Sequence, residues 1–475
     1  MNSGWKERIY PHLPILMQNL ACGVEGRGQR KLRYGGAFRE LLDWLEESQW
    51  WSAAEIQEYQ DEQLKSLIEH AYRTTPFYRR RFDDLKLKPN DVKTAKDLQK
   101  LPLLTKEDVR ENFQEMVSSE FARHKLVFCH TSGTTGKSLQ FYQEPRAIQF
   151  RWAVWWRHRQ RFGVKFDARY ATFTGLAAVP LEQQRPPFWR ENRPMRQTIF
   201  TMHHIVPAKV KAIVGRLNDG GFDYYAGYPS IIFVLAGLIN EGGHQVTAPP
   251  KMVFTGAENL YDNQRSLMTN VFKADVTDEY GFSEGCGNAS RCERDVFHED
   301  FEFGILECAE RKSIEGDLRQ GRIIATGFGS YGMPFIRYDV GDVGTWTDVT
   351  CECGRKSKAL TGIDGRVEDF VITPEGRKIL RFDYVFKDAH NVRDAQVVQR
   401  EIGEISLLVM RRDAYSQADE DHLRREIRNK ISPNLVVAFE YVDEIEREPN
   451  GKIRAVKSLI GNRLSETISS SPQVS

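Results

Sequence analysis

His130-Thr131-Ser132-Gly133-Thr134-Thr135-Gly136-Lys137 lies between two stretches that read as strands, Leu126-Val127-Phe128-Cys129 and Leu139-Gln140-Phe141-Tyr142. Serine and threonine hydroxyls, two glycines and a lysine are thereby held in one turn. Glycine lets backbone N–H groups approach an anion closely, and the hydroxyls and ammonium add donors and charge. A triphosphate suits such a turn. It is not a Walker A loop, which needs glycine where Thr131 stands and a helix directly after. Taken alone, the same residues also make an ordinary solvated hairpin, so the rest of the chain has to decide.

Working outward, Phe38, Leu41, Leu42 and Leu45 have helical spacing, as do Leu64, Leu67, Ile68 and Ala71. Thr74-Thr75-Pro76 should end the second helix, because the residue before proline is pushed out of the helical region. Thr105 and Asp108 form an N-cap and capping box. These helices read as a platform over residues 1–115. Beyond the loop, Trp152, Trp155 and Trp156 share a helix with Arg151, Arg157, Arg159 and Arg161, expected to give one core face and one solvated basic face. Tyr224 to Ser230 reads as strand, turn and helix start. Met252 to Thr255 and Asp275 to Tyr280 are strands running into Gly256 and Gly281. Ligands in α/β sheets bind at the carboxyl ends of such strands.

Phe301–Leu306, Arg322–Thr326 and Phe335–Tyr338 are further expected strands. After Gly365-Arg366 short strands alternate with one helix over roughly 419–431, a compact unit of domain size. The Ser-rich stretch 465–475 reads as a disordered tail.

The 67 basic residues balance 66 acidic ones, so no general field attracts nucleic acid or an anionic membrane. No apolar run approaches the length that spans a bilayer, which argues against membrane insertion. Seven cysteines in 475 residues do not make a disulfide framework, and a reducing cytoplasm is the expected compartment. A homodimer is left open by base rate alone.

Six motifs then fall in order: Thr131–Lys137, Gly256-Ala257-Glu258, Tyr280-Gly281-Phe282-Ser283-Glu284, Arg337-Tyr338-Asp339-Val340-Gly341-Asp342, Gly365-Arg366 and Pro449-Asn450-Gly451-Lys452. In this order and spacing the chain resembles the adenylate-forming superfamily, in particular its phenylacetate–CoA ligase branch, which includes proteins encoded with capsular-polysaccharide genes. The resemblance implies an α/β fold with a large multi-subdomain N-terminal domain, residues 1–365, and a small mobile α+β lid domain, residues 366–464. It implies ATP and a carboxylate giving an acyl-adenylate and pyrophosphate, with the acyl group passing to a thiol such as CoA or to an amine such as an amino sugar or amino acid. A nucleotide-binding protein without turnover is the alternative from another class.

On this reading Thr131, Ser132, Gly133, Thr134, Thr135, Gly136 and Lys137 hold the β- and γ-phosphates, and Glu284 holds Mg²⁺, with Ser283 beside it in the motif. Tyr280 and Gly281 meet the adenine, with Gly256, Ala257 and Glu258 on its other side. Asp342 takes the ribose hydroxyls, and Arg366 reaches ribose or phosphate. Glu368 stands at the hinge, where the superfamily usually has Asp or Lys. Lys452 swings in to neutralise the α-phosphate during adenylation. Tyr228, His204 and Phe282 are candidates for the acid pocket, and Trp155, Phe173, Phe200 and His203 lie in the same stretch. The bland alternatives are a core tyrosine, an aspartate capping a glycine turn, a solvated turn lysine and satisfied buried histidines.

Cys292, His298, Cys351 and Cys353 offer four soft or borderline ligands in two distant polar loops, enough for a closed, structural tetrahedral Zn²⁺ site. Proteins of the branch carry a similar set with a Cys-x-Cys-Gly-Arg run. Free loop cysteines are the alternative, and Cys286 is the runner-up ligand.

Overall fold

The computed structural model describes residues 9–131, 139–313, 317–364, 371–376, 378–379, 382, 385–386, 389, 391–446 and 456–460. Ser132, Gly133, Thr134, Thr135, Gly136, Lys137, Arg366, Glu368, Lys452 and the tail 465–475 lie outside the described residues.

The helical platform forms as its spacing predicts, with helices Phe38–Ser48 and Ala53–Thr74. The second ends before Pro76, which opens a new helix, Pro76–Asp84. The Thr105 side chain accepts from the Asp108 N–H at 3.1 Å, and Asp108 accepts from the Thr105 N–H at 2.8 Å, completing the capping box. Just before it, the Leu104 N–H donates to the Arg337 carbonyl, and the Asp339 N–H donates to the Leu104 carbonyl, both at 2.9 Å. The platform thus adds one rung to the sheet beside the Arg337–Asp342 motif.

β1 (Val127–His130) and β2 (Gln140–Gln143) form an antiparallel pair flanking the Ser/Thr/Gly loop. The main sheet contains β3 (Tyr170–Thr174), β4 (Trp189–Asn192), β5 (Gln197–Thr201), β6 (Tyr224–Gly227), β7 (Met252–Gly256), β8 (Asp275–Gly281), β9 (Asn288–Arg291), β10 (Phe297–Glu299), β11 (Gly304–Ser313), β12 (Arg319–Gly327), β13 (Tyr338–Thr347) and β14 (Ala359–Asp364). Their order is β11-β12-β13-β14-β10-β9-β8-β7-β6-β3-β5-β4. The run from β8 to β5 is parallel, and the other pairs are antiparallel. The crossover helices Pro207–Asp219, Pro229–Glu241 and Asp262–Phe272 bury apolar residues against the parallel part, as βαβ units require.

A second sheet joins β17 (Val392–Glu401), β18 (Glu404–Arg411), β19 (Val436–Tyr441) and β20 (Val456–Ser458), after a short pair, β15 (Val371–Ile372) and β16 (Lys378–Ile379). The helix Gln417–Lys430 connects β18 to its parallel neighbour β19.

Three expectations need correction. Phe301–Phe303 is a turn, and the strand begins at Gly304, because Asp300 accepts the Phe303 N–H and closes the chain on itself. Phe335–Arg337 is likewise outside β13: Arg337 has φ +57, a left-handed conformation that interrupts an extended strand. Most instructive is the helix Pro145–Arg161, whose arginines are not a solvated face. Arg157 is 2% exposed and binds Asp300 at 2.5 Å and Glu302 at 2.6 Å. Arg159 lies buried against the rings of Trp156, Tyr224 and Phe254. Weakly hydrated guanidinium tolerates such paired, aromatic surroundings, which a simple charge pattern does not reveal.

Candidate active site

β7 and β8 are neighbouring parallel strands, and Gly256 and Glu279 face each other in their register. Their carboxyl ends therefore set Gly256-Ala257-Glu258 and Tyr280-Gly281 side by side. Ala257 has φ +65, so the chain leaves β7 through a left-handed turn. The Glu258 carboxylate is directed to the start of the helix Pro229–Glu241, accepting from the Ser230 hydroxyl at 2.5 Å and its N–H at 3.2 Å. Tyr228, the residue before that helix, packs against the apolar core at the same strand–helix turn.

The Tyr280 hydroxyl donates to Asp342 Oδ2 at 2.9 Å. Four inter-strand steps separate β8 from β13, about 19 Å in a flat sheet at ~4.8 Å per step. The antiparallel end must therefore curl over the ends of β7 and β8, closing one side of a cleft. Asp342 lies inside β13, beside Gly341 at φ +81 and a register shift against β12. Burial, and then the neighbouring Asp342 charge, hold the Tyr280 phenol well above its ordinary pKa, so it remains a donor.

A second phenol–carboxylate pair lies close by. The Tyr338 hydroxyl donates to Glu284 Oε1 at 2.6 Å, and Glu284 is 5% exposed. Burial, followed by Glu284, keeps Tyr338 protonated as well. The turn carrying Glu284 is tied to the loop hairpin: Gln143 at the end of β2 donates to the Glu284 carbonyl at 3.0 Å. Arg151 donates to the Ser283 carbonyl at 3.0 Å. At the neck of the hairpin the Thr131 N–H donates to the Leu139 carbonyl, and the Leu139 N–H donates to Thr131 Oγ1, both at 2.9 Å. Phe282 packs between Tyr280 and Tyr338, with ring centroids at 5.9 Å and 6.5 Å. The structure thus brings Thr131, Tyr280, Phe282, Ser283, Glu284 and Asp342 into one connected set.

His204 does not join it. The ring is buried, one nitrogen lies 2.9 Å from the Pro180 carbonyl, the other accepts from the Lys209 ammonium at 2.9 Å, and Phe188 stacks on its face. It is a satisfied core histidine. Phe173 and Phe200 stack in the core of the parallel sheet, and His203 is buried beside His204.

Cys292 follows β9, His298 lies in β10, and Cys351 and Cys353 lie in the loop between β13 and β14. The pairing of β10 with both β9 and β14 draws these segments together. The four ligand atoms lie within 4.8 Å of one another, with Sγ of Cys292 and Cys351 3.7 Å apart and Cys353 Sγ 3.2 Å from His298 Nε2. Two thiolates on tetrahedral Zn²⁺ would stand about 3.8 Å apart, from Zn–S bonds of ~2.3 Å. The Arg294 N–H points at Cys292 Sγ from 3.3 Å, as a partly negative sulfur would favour. Cys286 is buried elsewhere and is not in the cluster.

The CapK C-terminal domain family matches residues 371–459. Over 451 residues, 94% of this chain and 98% of the relative, the sequence is 26% identical to Protein CapK of Staphylococcus aureus. It is also 26% identical to phenylacetate–coenzyme A ligase of Aromatoleum evansii, over 68% of this chain and 72% of that one. Over most of its length this chain is therefore similar to proteins of the CapK-like, phenylacetate–CoA ligase branch of the adenylate-forming superfamily. Its fold is that of 2-hydroxyisobutyryl-CoA ligase, solved with 2-HIB-AMP and CoA in the thioesterification state, at TM-score 0.57 and 19% identity over 89% of this chain and 94% of that one. The fold is accordingly that of an adenylate-forming CoA ligase.

Tyr338, Gln143 and the Glu279–His158 pair were not legible as site residues in the sequence. Tyr338 stood inside the quoted Arg337–Asp342 motif, but only the fold reveals its contact with Glu284. Glu279, on the opposite face of β8 from Tyr280, has its carboxylate 3.5 Å from His158. Burial raises Glu279 to about 7 and lowers His158 to about 3, so neither is simply ionised at neutral pH. Nothing in the residue spacing signals this pair.

Proposed function

We propose that the protein activates a carboxylic acid with ATP through an acyl-adenylate and transfers the acyl group to CoA. The observation that carries this reading is the pair of phenol–carboxylate contacts, Tyr280–Asp342 and Tyr338–Glu284, set around the carboxyl ends of β7 and β8 and tied by Gln143 to the Ser/Thr/Gly hairpin. A carboxylate attacks the α-phosphate poorly, and the reaction gathers charge on departing pyrophosphate, so positioned donors and cations supply the catalysis. In this scheme the Tyr280 ring offers its face to adenine, and Asp342, already oriented by the Tyr280 hydroxyl, accepts from the ribose. Thr131 and the following loop residues through Lys137 take the terminal phosphates. Arg366 and Lys452 supply further positive charge, and Glu368 serves as the hinge between a body of residues 1–365 and a lid of 366–464.

Glu284 fits a hard divalent cation: it is a buried carboxylate, oriented by Tyr338 and backed by the hairpin. Mg²⁺ there would neutralise phosphate charge. The Cys292, His298, Cys351 and Cys353 cluster fits Zn²⁺ by donor type and spacing. Four protein ligands make that metal structural, clamping the β9–β10 turn to the β13–β14 loop. The compartment that goes with this reading is a reducing cytoplasm, where such thiols are kept reduced.

Product analysis tests the reaction class. Incubation with ATP, Mg²⁺, pooled acids and CoA should release AMP and form an acyl-CoA. AMP release with an amine in place of CoA would reassign the acceptor, and ADP release would reject the scheme.

A further inference from the structure

The helix Ile15–Tyr34 is inside out. Its inward face is polar and small: Gln18, 2% exposed, donates to the Tyr10, Pro11 and Leu13 carbonyls and accepts from Arg190 Nε at 2.6 Å. Asn19 accepts from the Glu191 N–H at 2.9 Å, and Gly26 lies so close to the Asn192 side chain that a Cβ would collide with it. The first half of its outward face is apolar. Leu16, Leu20 and Val24 are 79%, 58% and 61% exposed, and Met17 stands exposed beside them. Positions 16, 20 and 24 align along one side of the helix over about 12 Å, and the next exposed side chains on that line are Arg27 and Lys31. An amphipathic helix in a globular protein has the reverse orientation.

At the basic end the surface is hollowed into a groove of about 420 Å³ lined by Arg27, Arg30, Lys31, Tyr34, Arg39 and Phe166. Four cations line it, and Asp167 engages Arg30 at 2.6 Å. Arg39 lies over the Phe166 ring at 3.9 Å. The formal charge of the whole chain is only +1, so this concentration is local and is hidden in the overall balance.

We propose that this helix docks the protein on an anionic lipid bilayer. The apolar stripe enters the acyl boundary, and the groove at its end takes phosphate headgroups. The helix lies on the membrane and does not cross it, in keeping with the absence, among the described residues, of any helix long and apolar enough to span. A second copy of the chain fits less well. A stable protein interface uses about 20–30 residues a side and is poor in charge at its centre, whereas this stripe is a handful of side chains running into clustered cations.

The test is co-sedimentation of the full chain with phosphatidylcholine vesicles, with and without phosphatidylglycerol, at about 0.1 M salt. Binding should be at least about tenfold tighter to the anionic vesicles, because a lysine or arginine near such a surface contributes about fivefold each. Arg27→Gln with Lys31→Gln should weaken it about twenty-five-fold by the same count. Leu20→Glu with Val24→Glu should abolish it. All four positions are solvent-exposed, so the variants should melt with the parent protein, and their ATP–pyrophosphate exchange should be unchanged. Absence of binding to anionic vesicles, or binding indifferent to Leu20→Glu with Val24→Glu, would overturn the proposal. So would a dimer in light scattering that the same double variant dissociates without any vesicle binding, which would assign the stripe to a second copy.

Discussion

Replacing Tyr338 by phenylalanine removes one oxygen and tests whether Glu284 is a positioned functional carboxylate. In the folded protein that oxygen donates to Glu284 Oε1 at 2.6 Å, with both residues buried. A hydrogen bond to a charged, desolvated acceptor contributes about 1.5–3 kcal/mol, and its loss strands a carboxylate without that donor. Urea denaturation should show a destabilisation of about 2 kcal/mol from this term. The variant Glu284→Gln should already have lost most of it, so a double-mutant cycle should return a coupling of about 1–3 kcal/mol. The functional consequence is separate. If the hydroxyl aims Glu284 at a divalent cation, the Mg²⁺ concentration that half-saturates ATP–pyrophosphate exchange should rise about tenfold in Tyr338→Phe, equal to ~1.4 kcal/mol. Unchanged stability together with unchanged Mg²⁺ dependence would leave Tyr338 as a core residue and Glu284 without an oriented role.

Three further outcomes follow from buried chemistry. Purified protein should carry about one zinc per chain, and Cys351→Ser should lose it and melt at lower temperature; a metal content near zero in the parent protein would leave a thiol cluster. Arg157→Met should cost about 3–5 kcal/mol by stranding Asp300 and Glu302, and adding Asp300→Asn and Glu302→Gln should recover much of it, as followed by thermal unfolding. Glu279, raised by burial to about 7, keeps a proton that the unfolded chain releases near pH 4.5. Its contribution to stability is therefore complete below the unfolded value and lost as pH rises to about 7, by about 3 kcal/mol. His158, lowered to about 3, gives an opposite slope in parent and variant alike, so the stability difference between the protein and Glu279→Gln across that window isolates Glu279. A difference independent of pH would reject the assignment.

The sequence is legible where local physics decides. The Thr105–Asp108 capping box, the helix stop before Pro76 and the strands into Gly256 and Gly281 all depend on neighbours within a few residues. The Cys292, His298, Cys351 and Cys353 group was legible through donor chemistry despite its long separation, and β10 supplies the reason the segments meet. What stayed hidden depends on the curl of the main sheet. Tyr280–Asp342 and Tyr338–Glu284 are contacts across strands that are remote in sheet order, and no spacing rule encodes them. The buried arginines of the helix Pro145–Arg161 misled for another reason: a charge count treats arginine as solvated, while Asp300, Glu302 and the aromatic rings that bury it come from distant strands. His204 looked like a pocket group until Pro180 and Lys209 were seen to occupy both ring nitrogens.

Formation of an acyl-adenylate by this chain would be read by ATP–pyrophosphate exchange without knowledge of the acceptor. Pools of aryl acids, short and branched fatty acids, amino acids and uronic acids should be tried with Mg²⁺. Exchange should depend on one pool and disappear in Lys452→Ala while ATP binding persists. Undiminished exchange in Lys452→Ala would remove that lysine from the chemistry. ATP binding with no exchange from any pool would contradict adenylate formation itself and favour a nucleotide-binding protein that has lost turnover.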